Sequence, residues 1–174
     1  MMPQIQKPDY SLKLLSRLNN TDYEDSFVRY VSFAALEENS YFGSQTENGF
    51  TEKLEGKIVI KSWKEIAVKF PNCVLGEYLL KPDSFSGIVM LNKSLSDENR
   101  TKTYLRLLTY FKNRSTLLIN KLHGTHGRIF WKNNYEETIV NDVNKLNEVI
   151  AFLKNPPKTD KPKLTPSLIF VTLF

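Results

Sequence analysis

Polar and apolar positions interchange from Ser26 to Ala34, in a run rich in valine and aromatic side chains that predicts a first strand. A helical period follows. Thr51 stands where it can cap a helix running to about Lys69, with Leu54, Ile58, Trp63, Ile66, Ala67 and Phe70 as its buried stripe and Pro71-Asn72 as its end. Val74 to Leu80 and Ser86 to Leu91 read as two strands, joined as a hairpin around Pro82-Asp83. Ser96 and Glu98 open a second helix. Its stripe of Tyr104, Leu107, Leu108, Phe111, Leu118 and Leu122 is interrupted at Ser115. Gly124 and Gly127 bound a loop, and Arg128 to Trp131 reads as a short strand. Asn141-Asp142 starts a last helix with Val143, Leu146, Ile150 and Leu153 inward and Pro156-Pro157 as its stop.

The order strand, helix, strand, strand, helix, strand implies an α+β fold: an antiparallel sheet with helices packed on one face. Residues 1–26 read as an N-terminal extension, 27–155 as the folded domain and 156–174 as a Pro/Lys-rich C-terminal tail. At 174 residues the chain is one domain's worth and long enough to bury a proper core. The single cysteine, Cys73, rules out an internal disulfide and fits a reducing compartment. The polar N-terminus lacks the apolar stretch of a secretory signal. The longest apolar run, Leu168 to Phe174, is too short to span a bilayer, and is either an added strand or out-of-frame tail sequence. These features lead to the expectation of a cytoplasmic protein with no membrane partner.

Charge adds a direction. The chain nets +5, but no Asp or Glu occurs from Arg100 to Tyr135, where eight Lys and Arg side chains fall; the rest of the chain therefore nets −3. Clustering of this kind is the electrostatic footprint of a phosphate-binding face. Aromatics interleave with it, at Tyr104, Tyr110, Phe111, Phe130, Trp131 and Tyr135. Lys112, Arg114, Lys121, Arg128 and Lys132 are the candidate phosphate contacts, with Trp131 and Tyr135 as candidate base-stacking rings. His123 and His126, three apart in a glycine-bounded turn, have no cysteine pair or nearby carboxylate in sequence to complete a zinc site, and read as a surface loop.

Candidate chemistry enters through two serines. Ser84 and Ser86 flank Phe85 at the start of an apolar strand, so both project from one face of a sheet. Their surroundings fit an ordered set of segments. Tyr41-Phe-Gly, Leu54 to Ile66 and Lys69 to Tyr78 resemble the first half of a REP-associated tyrosine transposase. Thr109 to Thr116, Phe130 to Val140 and Leu146 to Pro157 resemble its second half, in order. The resemblance runs from about Tyr41 to Pro157. It implies a ferredoxin-like core and a single-tyrosine, insertion-sequence-200-like (HUH) chemistry. In that chemistry a tyrosine attacks single-stranded DNA beside a hairpin, with a divalent metal such as magnesium or manganese on a His-hydrophobe-His strand.

Against that pattern this chain departs at each catalytic position. The two metal-ligand histidines align on Ser84 and Ser86, the nucleophilic tyrosine on Phe152 and its assisting polar residue on Pro156. A histidine often found in the Tyr-Glu-His-Ile-Ile stretch is Thr138. The resemblance therefore implies a transposase-like protein that binds single-stranded or hairpin DNA, has no catalytic residue at the family positions and has no metal cofactor. Two rivals stand beside it: an active nicking-joining enzyme with relocated residues, such as Tyr135 with His123 or His126, and a decaying copy of a mobile element. The broader class dimerises, which leaves a homodimer open.

Overall fold

The computed structural model describes residues 27–36, 41–47, 49–92, 94–156 and 169–172, the last four by backbone alone. Strand β1, Phe27–Ala34, is central because its alternating side chains are buried on both faces. A small hairpin follows, β2 (Gly43–Thr46) and β3 (Gly49–Glu52), which forms its own two-stranded sheet. Helix α1 (Leu54–Lys69) leads into β4 (Cys73–Leu80) and β5 (Ser84–Leu91). Then come the long α2 (Asp97–His123), β6 (Asn134–Ile139), α3 (Val143–Lys154) and β7 (Ile169–Thr172). The main sheet has the order β4-β5-β1-β6-β7, and every pairing in it is antiparallel. Its first four strands, with α1 and α2 as crossovers, form the α+β, ferredoxin-like arrangement that the element order implied.

The helices do not all share a face. The larger core lies under α1 and α2, where Phe33, Trp63, Phe85, Phe111 and Trp131 meet at ring separations of 5.0 to 5.9 Å. Burying rings of this size is worth about 2–3 kcal/mol each in lost water contact. α1 docks close to β5 because Gly87 has no side chain: a Cβ there would lie 2.6 Å from the Trp63 ring. α3 covers the opposite face with Leu146, Val149, Ile150 and Leu153 against Val28, Tyr30, Ile88 and Met90. The two crossover helices share one face, as expected, and α3 adds cover on the other. The reason is visible in β1 and β5, which are apolar at both alternations and so need cover on both sides.

Several boundaries also move. Thr51 belongs to β3, and α1 begins at Leu54 with Lys53 as its cap. Its buried stripe is Val59, Ile60, Trp63 and Ile66, while Leu54 is 59% exposed. Ser115 does not interrupt α2. It is buried within a continuous helix, donating to the Phe111 carbonyl at 2.7 Å and accepting the Trp131 indole N–H at 2.9 Å. Gly124 ends the helix in the left-handed conformation, φ 64°, where a side chain would be strained. Arg128 to Trp131 makes only a single bridge, from Ala35 to Trp131, and the sheet strand is β6. Asp142 caps α3 by accepting from the Lys145 N–H at 2.8 Å. Of the C-terminal apolar run, Ile169–Thr172 adds a strand beside β6. The expectations for residues 1–26 and most of the Pro/Lys-rich segment lie outside the described residues.

Candidate functional site

The positions at which the resemblance implies catalysis meet on the α3 face. Ser86 lies opposite Ser32 of β1, and Ser84 opposite Ala34. One strand over, Thr138 lies opposite Tyr30 and Glu136 opposite Ser32. The Ser86 hydroxyl donates to Ser32 Oγ at 2.9 Å, and the Tyr30 hydroxyl bonds to both serines. Phe152 of α3 sets its ring edge-on to Tyr30, 6.4 Å between centroids, and Lys81 Nζ stands 5.8 Å from the centroid of the Phe152 ring. Tyr30, Ser86 and Thr138 are all buried, whereas Pro156 is exposed. Burial raises the Tyr30 phenol above its ordinary value, with the hydrogen bonds from Ser86 and Ser32 opposing and nearby Glu136 adding to the rise.

This donor set does not fit a divalent cation. Magnesium and manganese take carboxylate, imidazole or phosphate oxygen ligands, and a neutral serine pair already bonded to Ser32 and Tyr30 offers none of these. Among the described residues no group of three His, Cys, Asp or Glu side chains is placed to hold a metal. The second arrangement considered from sequence, Tyr135 with His123 or His126, is not formed. The Tyr135 hydroxyl meets Glu137 at 3.4 Å, and His123 Nε2 meets Glu55 at 2.9 Å. Burial raises both Tyr135 and Glu137 above their ordinary values, although Arg29, 2.8 Å from Glu137, pulls that carboxyl back. A phenol so placed holds its proton, which disfavours attack on a phosphate.

The proposed nucleic-acid contacts divide into two groups. Trp131 and Tyr135 are 2% and 3% exposed, packed against Phe33, and neither presents a face to a base. The expectation that they stack on DNA is corrected: their segment folds under α2, where aromatic burial outweighs surface display. Lys112 turns inward too. Its ammonium donates to the carbonyls of Lys132 at 2.7 Å and Asn133 at 3.3 Å, and burial lowers its pKa. Lys121 and Arg128 are exposed near the C-terminal end of α2, with Arg128 placed over Phe130, while Lys132 is half-buried. Arg114 Nε pairs with Glu65 of α1 at 2.8 Å, which raises the guanidinium and lowers the carboxyl.

That pair lies on a seam between antiparallel helices. Glu55–His123 closes one end, Glu65–Arg114 the middle, and Phe70 meets Tyr110 ring to ring at 5.8 Å at the other end. A shallow hollow opens on each side of the middle pair. One is lined by Lys57, Lys61, Lys64 and Val68 together with Glu52 and Glu65; the other by Lys69, Arg106, Tyr110 and Asn113 together with Arg114. Lys57, Lys61, Lys64, Lys69 and Arg106 are all exposed. The α1 lysines do not stand out in the charge of their segment because Glu52, Glu55 and Glu65 are interspersed with them. Their i, i+4, i+7 spacing, which puts them on one helix face, was the available signal.

No family model and no curated protein matches the chain. Among solved structures the chain is similar to that of a REP-associated tyrosine transposase bound to a REP hairpin, with a TM-score of 0.48 and 9% identity. The match covers 73% of this chain and 64% of that one, so the chain spans a little under two thirds of that protein's length. Likeness at this level carries no weight for fold or function, which rest on the residues and geometry above.

Proposed function

We propose that the chain is a DNA-binding protein of transposase type whose reaction centre has been replaced by a closed, hydrogen-bonded patch. The observation that carries this reading is the meeting of Ser86, Thr138 and Phe152 around Tyr30. Residues that the transposase pattern assigns to metal binding and attack are neighbours in space, yet they hold neutral hydroxyls and an unreactive ring. Affinity for DNA rests on phosphate neutralisation by cations, the exposed Lys121 and Arg128 and the half-buried Lys132 and Arg114 among them, and the partner is single-stranded or hairpin DNA. No helix among the described residues is long and apolar enough to cross a membrane, which suits a partner in aqueous solution.

The test is a salt titration of binding to a labelled DNA hairpin, run in parallel with magnesium and manganese incubations resolved on a denaturing gel. The reading expects binding that weakens by orders of magnitude between low and physiological salt, and no covalent adduct with either metal. An adduct abolished by Tyr135→Phe or Tyr30→Phe would establish an active nicking-joining enzyme instead. Absence of binding at low salt would leave a protein that keeps the shape and has lost the DNA.

A further inference from the structure

We infer that single-stranded DNA runs along the outer face of the α1–α2 layer, across both hollows, and that Glu65 limits its affinity by holding Arg114. This rests on the DNA-binding reading and moves the contact surface from one segment of α2 onto two helices.

Four observations carry it. First, Lys57, Lys61 and Lys64 form a stripe on α1 that ends near Lys69, and all four are exposed. Second, Arg106 and Arg114 line the neighbouring hollow on α2, so cations flank the seam from both helices. Third, Glu65 and Glu55 are engaged with bases of the other helix, Arg114 and His123, and the two hollows are lined by six Lys and Arg side chains against two carboxylates, Glu52 and Glu65. The face thus presents cations in excess, which is complementary to a polyanion. Fourth, Tyr110 is half-buried in the second hollow with Arg106 and Asn113. Its partly open ring offers a base a stacking surface, a feature of single-strand binding that duplex DNA, with its bases already stacked, does not use.

The α3 side differs in kind. There Lys154 faces Glu77 at 3.6 Å and Lys145 faces Glu148 at 3.2 Å, so charges alternate and offset one another locally. The helical layer, by contrast, presents several exposed cations within its two hollows.

Glu65 gives this surface its adjustable element. It accepts from Arg114 Nε at 2.8 Å and lies within reach of the Tyr110 hydroxyl at 3.5 Å, so it occupies two groups that a phosphate and a base would use. A phosphate arriving there competes with the carboxylate for the guanidinium fork. Replacing the carboxylate with an amide removes both the competitor and its repulsion of phosphate.

The test uses fluorescence anisotropy of a labelled oligothymidine, which has no hairpin, with thermal melting of every variant to confirm folding. Lys61→Ser with Lys64→Ser is expected to weaken binding about tenfold at low salt and to reduce the log–log salt slope by about 1.4, two single-strand contacts' worth. Tyr110→Leu weakens binding with little change in slope. Glu65→Gln tightens binding, and Arg114→Ser in that background removes the gain. The inference is overturned if the lysine pair and Glu65→Gln both bind as wild type while Lys121→Ser with Lys132→Ser loses binding; DNA binding itself would then survive. Failure of wild type to bind any single strand or hairpin overturns the functional reading as well.

Discussion

The two faces of the main sheet are covered by helices for different purposes. On the α1–α2 side an aromatic core is sealed below, and the outer helical surface carries lysines and arginines around two shallow hollows. On the α3 side a shorter helix lies over hydroxyl groups that bond to one another, and its outer charges alternate in sign. The first face spends its cations on solvent, where a polyanion can reach them. The second turns its polar groups inward, where they satisfy each other and become unavailable. The cationic surface and the hydroxyl patch thus depend on different residues in different layers, so either can change without the other.

The sharpest way to break the comparison is through Trp131. If this ring belongs to the sealed core, Trp131→Ala costs about 3–5 kcal/mol of stability, as large-to-small changes at buried aromatics do, with a lost indole bond to Ser115 included. Urea denaturation measures it. A ring that instead served as a stacking platform would give a stably folded variant with weak DNA binding.

The α3 face is tested by Ser86→His, which places a metal-binding side chain at a position 6% exposed. Overpacking there is expected to cost about 1–3 kcal/mol, with no gain of manganese affinity by calorimetry, because Ser84 and Phe152 still supply nothing to complete a site. Stable folding with tight manganese binding would mean that the face is a vacated metal centre and not a closed one. Removing the hydroxyl alone, by Ser86→Ala, leaves Ser32 and Tyr30 short of a partner and costs about 1 kcal/mol.

The smallest effects separate two Arg–Glu pairs by pH. Glu65 is held below its ordinary value by the Arg114 hydrogen bond, so its contribution is present above that ordinary value and is lost as pH falls through the lowered one. Glu137 is raised by burial, so its contribution is present below the ordinary value and is lost as pH rises through the raised one. Stability measured against pH should therefore change in opposite senses when Glu65→Gln and Glu137→Gln are each compared with wild type. Parallel changes would place the two carboxyls in similar surroundings.

The fold was legible wherever alternation or helical period was strong. β1, the β4–β5 hairpin and α3 lie within a residue or two of where the pattern puts them. β2 and β3 went unread because their residues, Gly-Ser-Gln-Thr and Gly-Phe-Thr-Glu, show no buried alternation and pair only with each other. β6 was missed for another reason: Asn134, Glu136 and Glu137 look like loop, but Glu137 is neutralised by Arg29 and Glu136 faces the Ser32 side. The placement of α3 on the second face needed three-dimensional knowledge of which strands have two apolar sides.

The site was legible in part. The two-residue spacing of Ser84 and Ser86 places both on one face, and the resemblance points to Phe152 as their neighbour. Tyr30 and Ser32 went unsuspected because their part in the patch depends on cross-strand register, which one strand's sequence does not reveal. Trp131 and Tyr135 were misjudged because an aromatic beside lysines reads alike whether it stacks on a base or on Phe33. The α1 lysines were overlooked because net charge by segment hides a stripe on one helix face.

The most direct test of the account compares the two faces in one experiment. Hairpin binding is titrated with salt for wild type, for the Lys57→Ser, Lys61→Ser, Lys64→Ser variant and for Phe152→Leu. The account predicts that the lysine variant loses affinity and about 0.7–0.9 of salt slope per contact, while Phe152→Leu binds as wild type. Loss of binding on altering Phe152, with the lysine variant unchanged, would place the DNA on the α3 face and contradict it.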